Sequence, residues 1–146
     1  MTSPTRRDFL RLGSMGGALA LSRGGASAAS PAAFEFEEAT LEDLQRRMAA
    51  GTLTAHRLTA TYLSRIAALD RKGPALHHVI ETNPEALAMA EALDADRRAK
   101  GARGPLHGIP ILLKDNVDTA DKTTTTAGSL ALAGSIPPRD ATVARK

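Results

Sequence analysis

The sequence predicts an α/β chain in which a leader of helices precedes strands. Three observations carry this. Leu58, Tyr62, Ile66 and Leu69 recur at steps of four, four and three, which is one apolar stripe on a helix. Two short segments, Leu76–Thr82 and the apolar run Ile109–Leu113, are each bounded by Gly/Pro turn residues, as strands are. Capping residues and helix stops stand in the right order between these segments.

Taken in order, Thr40-x-x-Asp43 approximates a capping box, with Asp for the usual Glu, ahead of a helix over Leu41–Ala50. Gly51 suits the position just past its end. Thr54 caps a second helix, Ala55 to Asp70, which carries the apolar stripe and is broken by Gly73-Pro74. Leu76–Thr82 reads as a short strand. Asn83-Pro84 starts a third helix, with proline at its first position, running to Lys100 before Gly101. A strand over Ile109–Lys114 follows the Gly104-Pro105 turn. The four threonines Thr123–Thr126, flanked by Ala127-Gly128-Ser129 and Leu130–Leu132, read as a structured loop. Ile136-Pro137-Pro138 is a turn, and Asp140 is placed to cap a helix from Ala141. That helix has one turn and no C-cap before Lys146, the pattern of a truncated domain.

The first 28 residues read differently. Arg6-Arg7 precede a short, mildly apolar stretch, Leu12–Leu21, and then small residues including Ala26-Ser27-Ala28. This is a positive region, an apolar region too short to span a bilayer, and an A-x-A cleavage site. It resembles a twin-arginine export signal, with Arg11 where lysine is commoner. The expected organisation is a signal over 1–28, a linker over 29–37 and a domain over 38–146. The expected location is periplasmic or extracellular, with the twin-arginine machinery as a partner and no stable membrane anchor.

Charge follows that division. Of 19 basic and 16 acidic side chains, Arg6, Arg7, Arg11 and Arg23 stand against Asp8 within the first 28 residues, so the remainder is balanced. No basic face for nucleic acid is indicated. Zero cysteines exclude thiol nucleophiles, thiolate metal sites and disulfides within this chain.

Lys114 closes the apolar run Ile109–Leu113 and is followed by Asp115 and Asn116. A lysine at the end of such a strand is either a surface residue whose stem lies along apolar neighbours, or a buried amine made reactive by desolvation. His107 in the Gly/Pro turn, and His77 and His78, have no companion ligands at metal spacing.

Gly104-Pro105-Leu106-His107-Gly108-Ile109-Pro110, then Leu113-Lys114-Asp115-Asn116, then Thr126-Ala127-Gly128-Ser129 and Asp140-Ala141 together resemble the amidase signature family, over roughly residues 38–146. One departure is Thr123, where the family often carries methionine. The resemblance implies the N-terminal part of the amidase fold, a helical leader followed by strands of a mixed central sheet. It implies hydrolysis of a C–N amide bond in a small-molecule substrate through a Ser–cis-Ser–Lys triad, without cofactor or metal. Lys114 is then the catalytic base, and both serines lie outside these residues. By themselves the 146 residues would therefore be inactive. Asp115, Asn116 and Ser129 are loop-supporting residues in this reading. Burial would lower the pKa of Lys114 from about 10.4, so that a neutral amine could take a proton through the bridging serine. Two other readings are a non-catalytic interaction module and a transamidation subunit.

Overall fold

The computed structural model describes residues 33–145. The expected export signal, its expected cleavage site and most of the expected linker lie outside them. Residues 33–37 belong to one compact unit and 38–145 to a second. In the first, Glu37 N–H donates to Phe34 O at 2.9 Å, and the Phe34 and Phe36 rings meet edge to face.

The second unit is built on three helices: α1 (Leu41–Ala49), α2 (Ala55–Ile66) and α3 (Ala86–Lys100). Thr40 caps α1 by accepting from Asp43 N–H at 3.1 Å. The capping box is only half formed, because the Asp43 carboxylate pairs forward with Arg46 instead of reaching back. At the other end Gly51 takes a left-handed φ of +72°. Its N–H donates to Met48 O, and that of Thr52 to Arg47 O, which is the Schellman closure glycine permits.

Thr54 caps α2 by accepting from Arg57 N–H at 3.0 Å. The two N–H groups left over, of Ala55 and His56, donate to the Asp94 carboxylate of α3 at 2.7 and 3.0 Å. A buried carboxylate at a helix N-terminus is favoured by the helix dipole. Each N–H stranded without it would cost about 1–3 kcal/mol. Sequence spacing does not reveal this cap, since Asp94 lies 39 residues from Ala55.

α2 packs along α3. The apolar stripe faces inward and is deepest at Leu58, which is fully buried, while Tyr62, Ile66 and Leu69 are half-buried. Burying a leucine of this kind contributes about 1.5–3 kcal/mol. Leu44, Met48, Leu53, Ala55 and Ala90 complete the small core.

Several elements differ from the sequence expectation. The second helix reaches Asp70 and beyond, but its last turn, Ala67–Arg71, is π-helical. α3 starts at Ala86, two residues past Pro84, because the Asn83 side chain accepts from Glu85 N–H at 2.8 Å and holds a turn there. Among the described residues neither expected strand forms, so the sheet is not seen. Leu76–Thr82 is diverted by its neighbours. Asp70 accepts from the N–H groups of His78 and Val79, and Arg71 donates to the carbonyls of Val79 and Ile80, occupying the groups a ladder would use. His77, at φ +53°, also departs from strand geometry. The expected helix from Ala141 is α4 (Thr142–Arg145). Asp140 instead accepts from Ala120 N–H at 2.7 Å.

No helix among the described residues is long and apolar enough to cross a membrane.

Candidate functional site

The site starts from the turn Gly104–Gly108, which is pinned to the helices by side chains. His107 is buried, and both ring nitrogens are used. Nδ1 accepts from Arg103 N–H at 3.0 Å, which leaves Nε2 to donate to Leu93 O at 2.9 Å. Arg97 of α3 donates to His107 O at 2.7 Å and to Gln45 Oε1 at 2.6 Å. The Gln45 amide, on α1, donates to Pro105 O and His107 O. Gly108 sits at φ +79°, and a Cβ there would lie 2.9 Å from Ala55 Cβ. Only glycine allows this turn to lie against the start of α2.

From this pin the chain runs out through Ile109–Lys114. Ile111, Leu112 and Leu113 are 57%, 71% and 47% exposed, and Lys114 is exposed as well. The expected buried strand is therefore not formed among the described residues. No neighbouring segment among the described residues offers it ladder bonds, and Lys114 is not buried by them. After Lys114 a turn closes, with Val117 N–H donating to Lys114 O at 3.0 Å.

Asp115 ties this turn to the threonine loop. Its carboxylate accepts the Thr126 hydroxyl at 2.5 Å and the Thr126 N–H at 2.9 Å, and its carbonyl accepts Ala127 N–H at 2.8 Å. Ala127 and Gly128 both hold positive φ, so the loop doubles back at this contact. Ser129 is exposed and donates its N–H to Thr126 O at 2.8 Å. Asp115 and the loop that carries Ser129 are thus brought together. Asn116 stays exposed beside them.

The threonine run is ordered residue by residue. Thr123 gives both its N–H and its hydroxyl to Asp121, and Thr124 gives both to Glu81. Thr125 is buried and donates its N–H to Ser135 O, and Thr126 goes to Asp115 as above. Three carboxylates thus hold one loop. Sequence reading finds the threonines but does not pair them with acids. The available signal was two acidic residues, Asp115 and Asp121, near four hydroxyl-bearing ones, while Glu81 is too distant in sequence for spacing to show it.

The Thr126 hydroxyl and amide hold the Asp115 carboxyl below the usual carboxylate range. For Asp121, burial works against ionisation, but hydrogen bonds from Thr123, Thr119 and Asn83 outweigh it and also lower the pKa. Among the described residues no group of three or more His, Asp or Glu could hold a metal ion.

The model of a family described as "Amidase" matches residues 57–146. The chain belongs to the amidase family. A probable amidase of Arabidopsis thaliana is 47% identical over 77% of this chain and 22% of its own length. A glutamyl-tRNA(Gln) amidotransferase subunit of Streptomyces coelicolor is 42% identical over 73% of this chain and 21% of its own. Among solved structures, the native peptide amidase of Stenotrophomonas maltophilia superposes with a TM-score of 0.72 at 54% identity, over 77% of this chain and 23% of that one. The chain thus spans under a quarter of the length of these amidase-family relatives. At that identity and TM-score the described helices and loops share the amidase fold.

A pH titration tests the loop bonds. Both carboxyls are lowered in the folded state, so they contribute stability above the unfolded value of about 3.9, and this is lost as pH falls through the folded values. Carboxyl carbon shifts should give Asp115 a midpoint below that value, with amide protection at Thr126 lost over the same range. Thr126→Val should move the Asp115 midpoint upward, and an unmoved midpoint would contradict the assignment.

Proposed function

We propose that the whole protein hydrolyses a C–N amide bond, with Lys114 as the base of a Ser–cis-Ser–Lys triad whose serines these residues do not include. The observation that carries this is the Lys114-Asp115 turn, bound through Asp115 to Thr126 inside the segment that matches the amidase family. A flexible lysine makes a poor base unless its backbone is placed to within a fraction of an ångström. The Asp115–Thr126 contact provides that support one residue away. Asp115 acts on the backbone and carries no proton. Asn116 and Ser129 belong to the same supported turn and loop.

The reaction needs a neutral amine. Lys114 would then draw a proton from a bridging serine, which activates the second serine to attack the amide carbon. Loss of the amine gives an acyl-enzyme that water hydrolyses, and no metal or cofactor takes part. In this proposal the exposed run Ile111–Leu113 is covered in the whole protein, and that cover keeps the amine dry. Similarity to a peptide amidase makes peptide amides the substrate class to test first. Similarity to an amidotransferase component supports transamidation as a second reading. Hydrolysis of a simple amide without a partner protein would separate the two. We also propose export by the twin-arginine route, from the Arg6-Arg7 pair, the short apolar stretch Leu12–Leu21 and the Ala26-Ser27-Ala28 site, in that order.

In the full-length protein Lys114→Ala should lower kcat on a peptide amide by on the order of 1,000-fold or more, as loss of an acid–base group does. Lys114→Arg should fail equally, because arginine stays charged. Near-normal turnover of the arginine variant would remove Lys114 from the mechanism. For export, replacing Arg6 and Arg7 together with lysine should leave unprocessed precursor in the cytoplasm. Normal processing of that variant would refute the route.

A further inference from the structure

The segment 81–85 carries three polar residues at alternate positions, and each reaches one residue of the loop 121–124. Glu81 accepts both the N–H and the hydroxyl of Thr124, at 2.9 and 2.7 Å. Asn83 donates its side-chain amide to Asp121 at 3.0 Å, and Glu85 pairs with Lys122 at 2.8 Å. Asp121 in turn holds Thr123 through two bonds. Two residues past Thr124, Thr126 grips Asp115, the neighbour of Lys114. A connected run of hydrogen bonds and backbone thus leads from 81–85 to the proposed base.

The near end of this run is itself anchored. Asp70 is buried and holds the amides of His78 and Val79, while Arg71 holds the carbonyls of Val79 and Ile80. Glu81 follows directly on this clamped segment. Apolar burial is not what fixes Glu81 or Thr124, because Glu81 is exposed and Thr124 only half-buried. Their relative position rests on the polar ties.

We propose that Glu81 is a positioning residue for the amidase reaction, bracing the threonine loop so that Thr126 and Asp115 set the backbone at Lys114. The inference rests on Lys114 being the base. Both bonds from Thr124 fall on a single carboxylate oxygen, Oε2. An amide oxygen in that place can accept both, more weakly but in the same geometry, so placement more than charge is required of residue 81. Asn83 is the second tie and acts on the same loop through Asp121.

The test uses the full-length protein and a peptide amide, with four single variants and the Glu81→Ala/Thr124→Val double variant measured together. Glu81→Ala should lower kcat on the order of tenfold to 100-fold, the scale of a misplaced catalytic group, with KM changed less than about twofold. Glu81→Gln should restore most of that loss. Thr124→Val, which removes only the hydroxyl, should reduce kcat in the same direction, and its effect should not add to that of Glu81→Ala. The thermal midpoint should move by only a few degrees in all of these, since surface ties contribute little to global stability. Lys114→Ala is the parallel control. If it is inactive while Glu81→Ala keeps wild-type kcat, or if glutamine fails to rescue, the brace is overturned and the base assignment stands. If Lys114→Ala stays active, the base assignment falls and the brace falls with it.

Discussion

The buried imidazole of His107 is the contact on which the arrangement of this chain depends. It bridges the carbonyl of Leu93, inside α3, and the amide of Arg103, just beyond the end of that helix. Its own carbonyl gathers Arg97 from α3 and Gln45 from α1. One residue of a Gly/Pro turn is thereby fixed to two helices at once. A turn of five residues cannot bury enough apolar surface to hold itself. Satisfied hydrogen bonds in a partly dry setting do that instead, and each is expensive to leave unmade. Gly108 completes the pin by letting the backbone close on Ala55.

From that point outward, apolar packing gives way to polar ties. Behind the pin lies a core around Leu58, assembled by α1, α2 and α3. Ahead of it Ile111–Leu113 are exposed, and order from Asp115 to Ser129 is carried by carboxylates on amides and hydroxyls. The two regimes suit different tasks. A core sets the direction in which the chain leaves the helices. A lattice of short polar bonds fixes the backbone beside Lys114, through Asp115 and Thr126. Each carboxylate in that lattice satisfies two donors on one threonine, so a small number of acids orders a long loop.

Local signals in the sequence carried the helices well and the strands poorly. Thr40, Thr54, Gly51 and Gly101 each stand where a cap or stop was expected, and the Leu58 stripe faces inward. These features depend on residues within one or two turns of each other. Strands depend on partners, and Leu76–Thr82 found its partners in Asp70 and Arg71 instead of in a ladder. Lys114 was expected on a buried strand and is exposed. The Asp94 cap of α2, the Glu81–Thr124 tie and the Arg97 bonds span about 40 residues or more, or hinge on rotamers, and no spacing rule reports them. The K-D-N motif lies in the turn that Asp115 ties to Thr126. What holds that turn in place became visible only in three dimensions.

The most direct test of this account is the tautomer of His107. Nitrogen-15 correlation spectra of the protein labelled at histidine should show Nε2 protonated and Nδ1 unprotonated, with the Nε2 proton slow to exchange because it donates to the Leu93 carbonyl. The Arg103 amide should be protected alongside it. A proton on Nδ1, or a rapidly averaging ring with an unprotected Arg103 amide, would mean that the turn is not pinned as described, and the placement of Lys114 would lose its foundation.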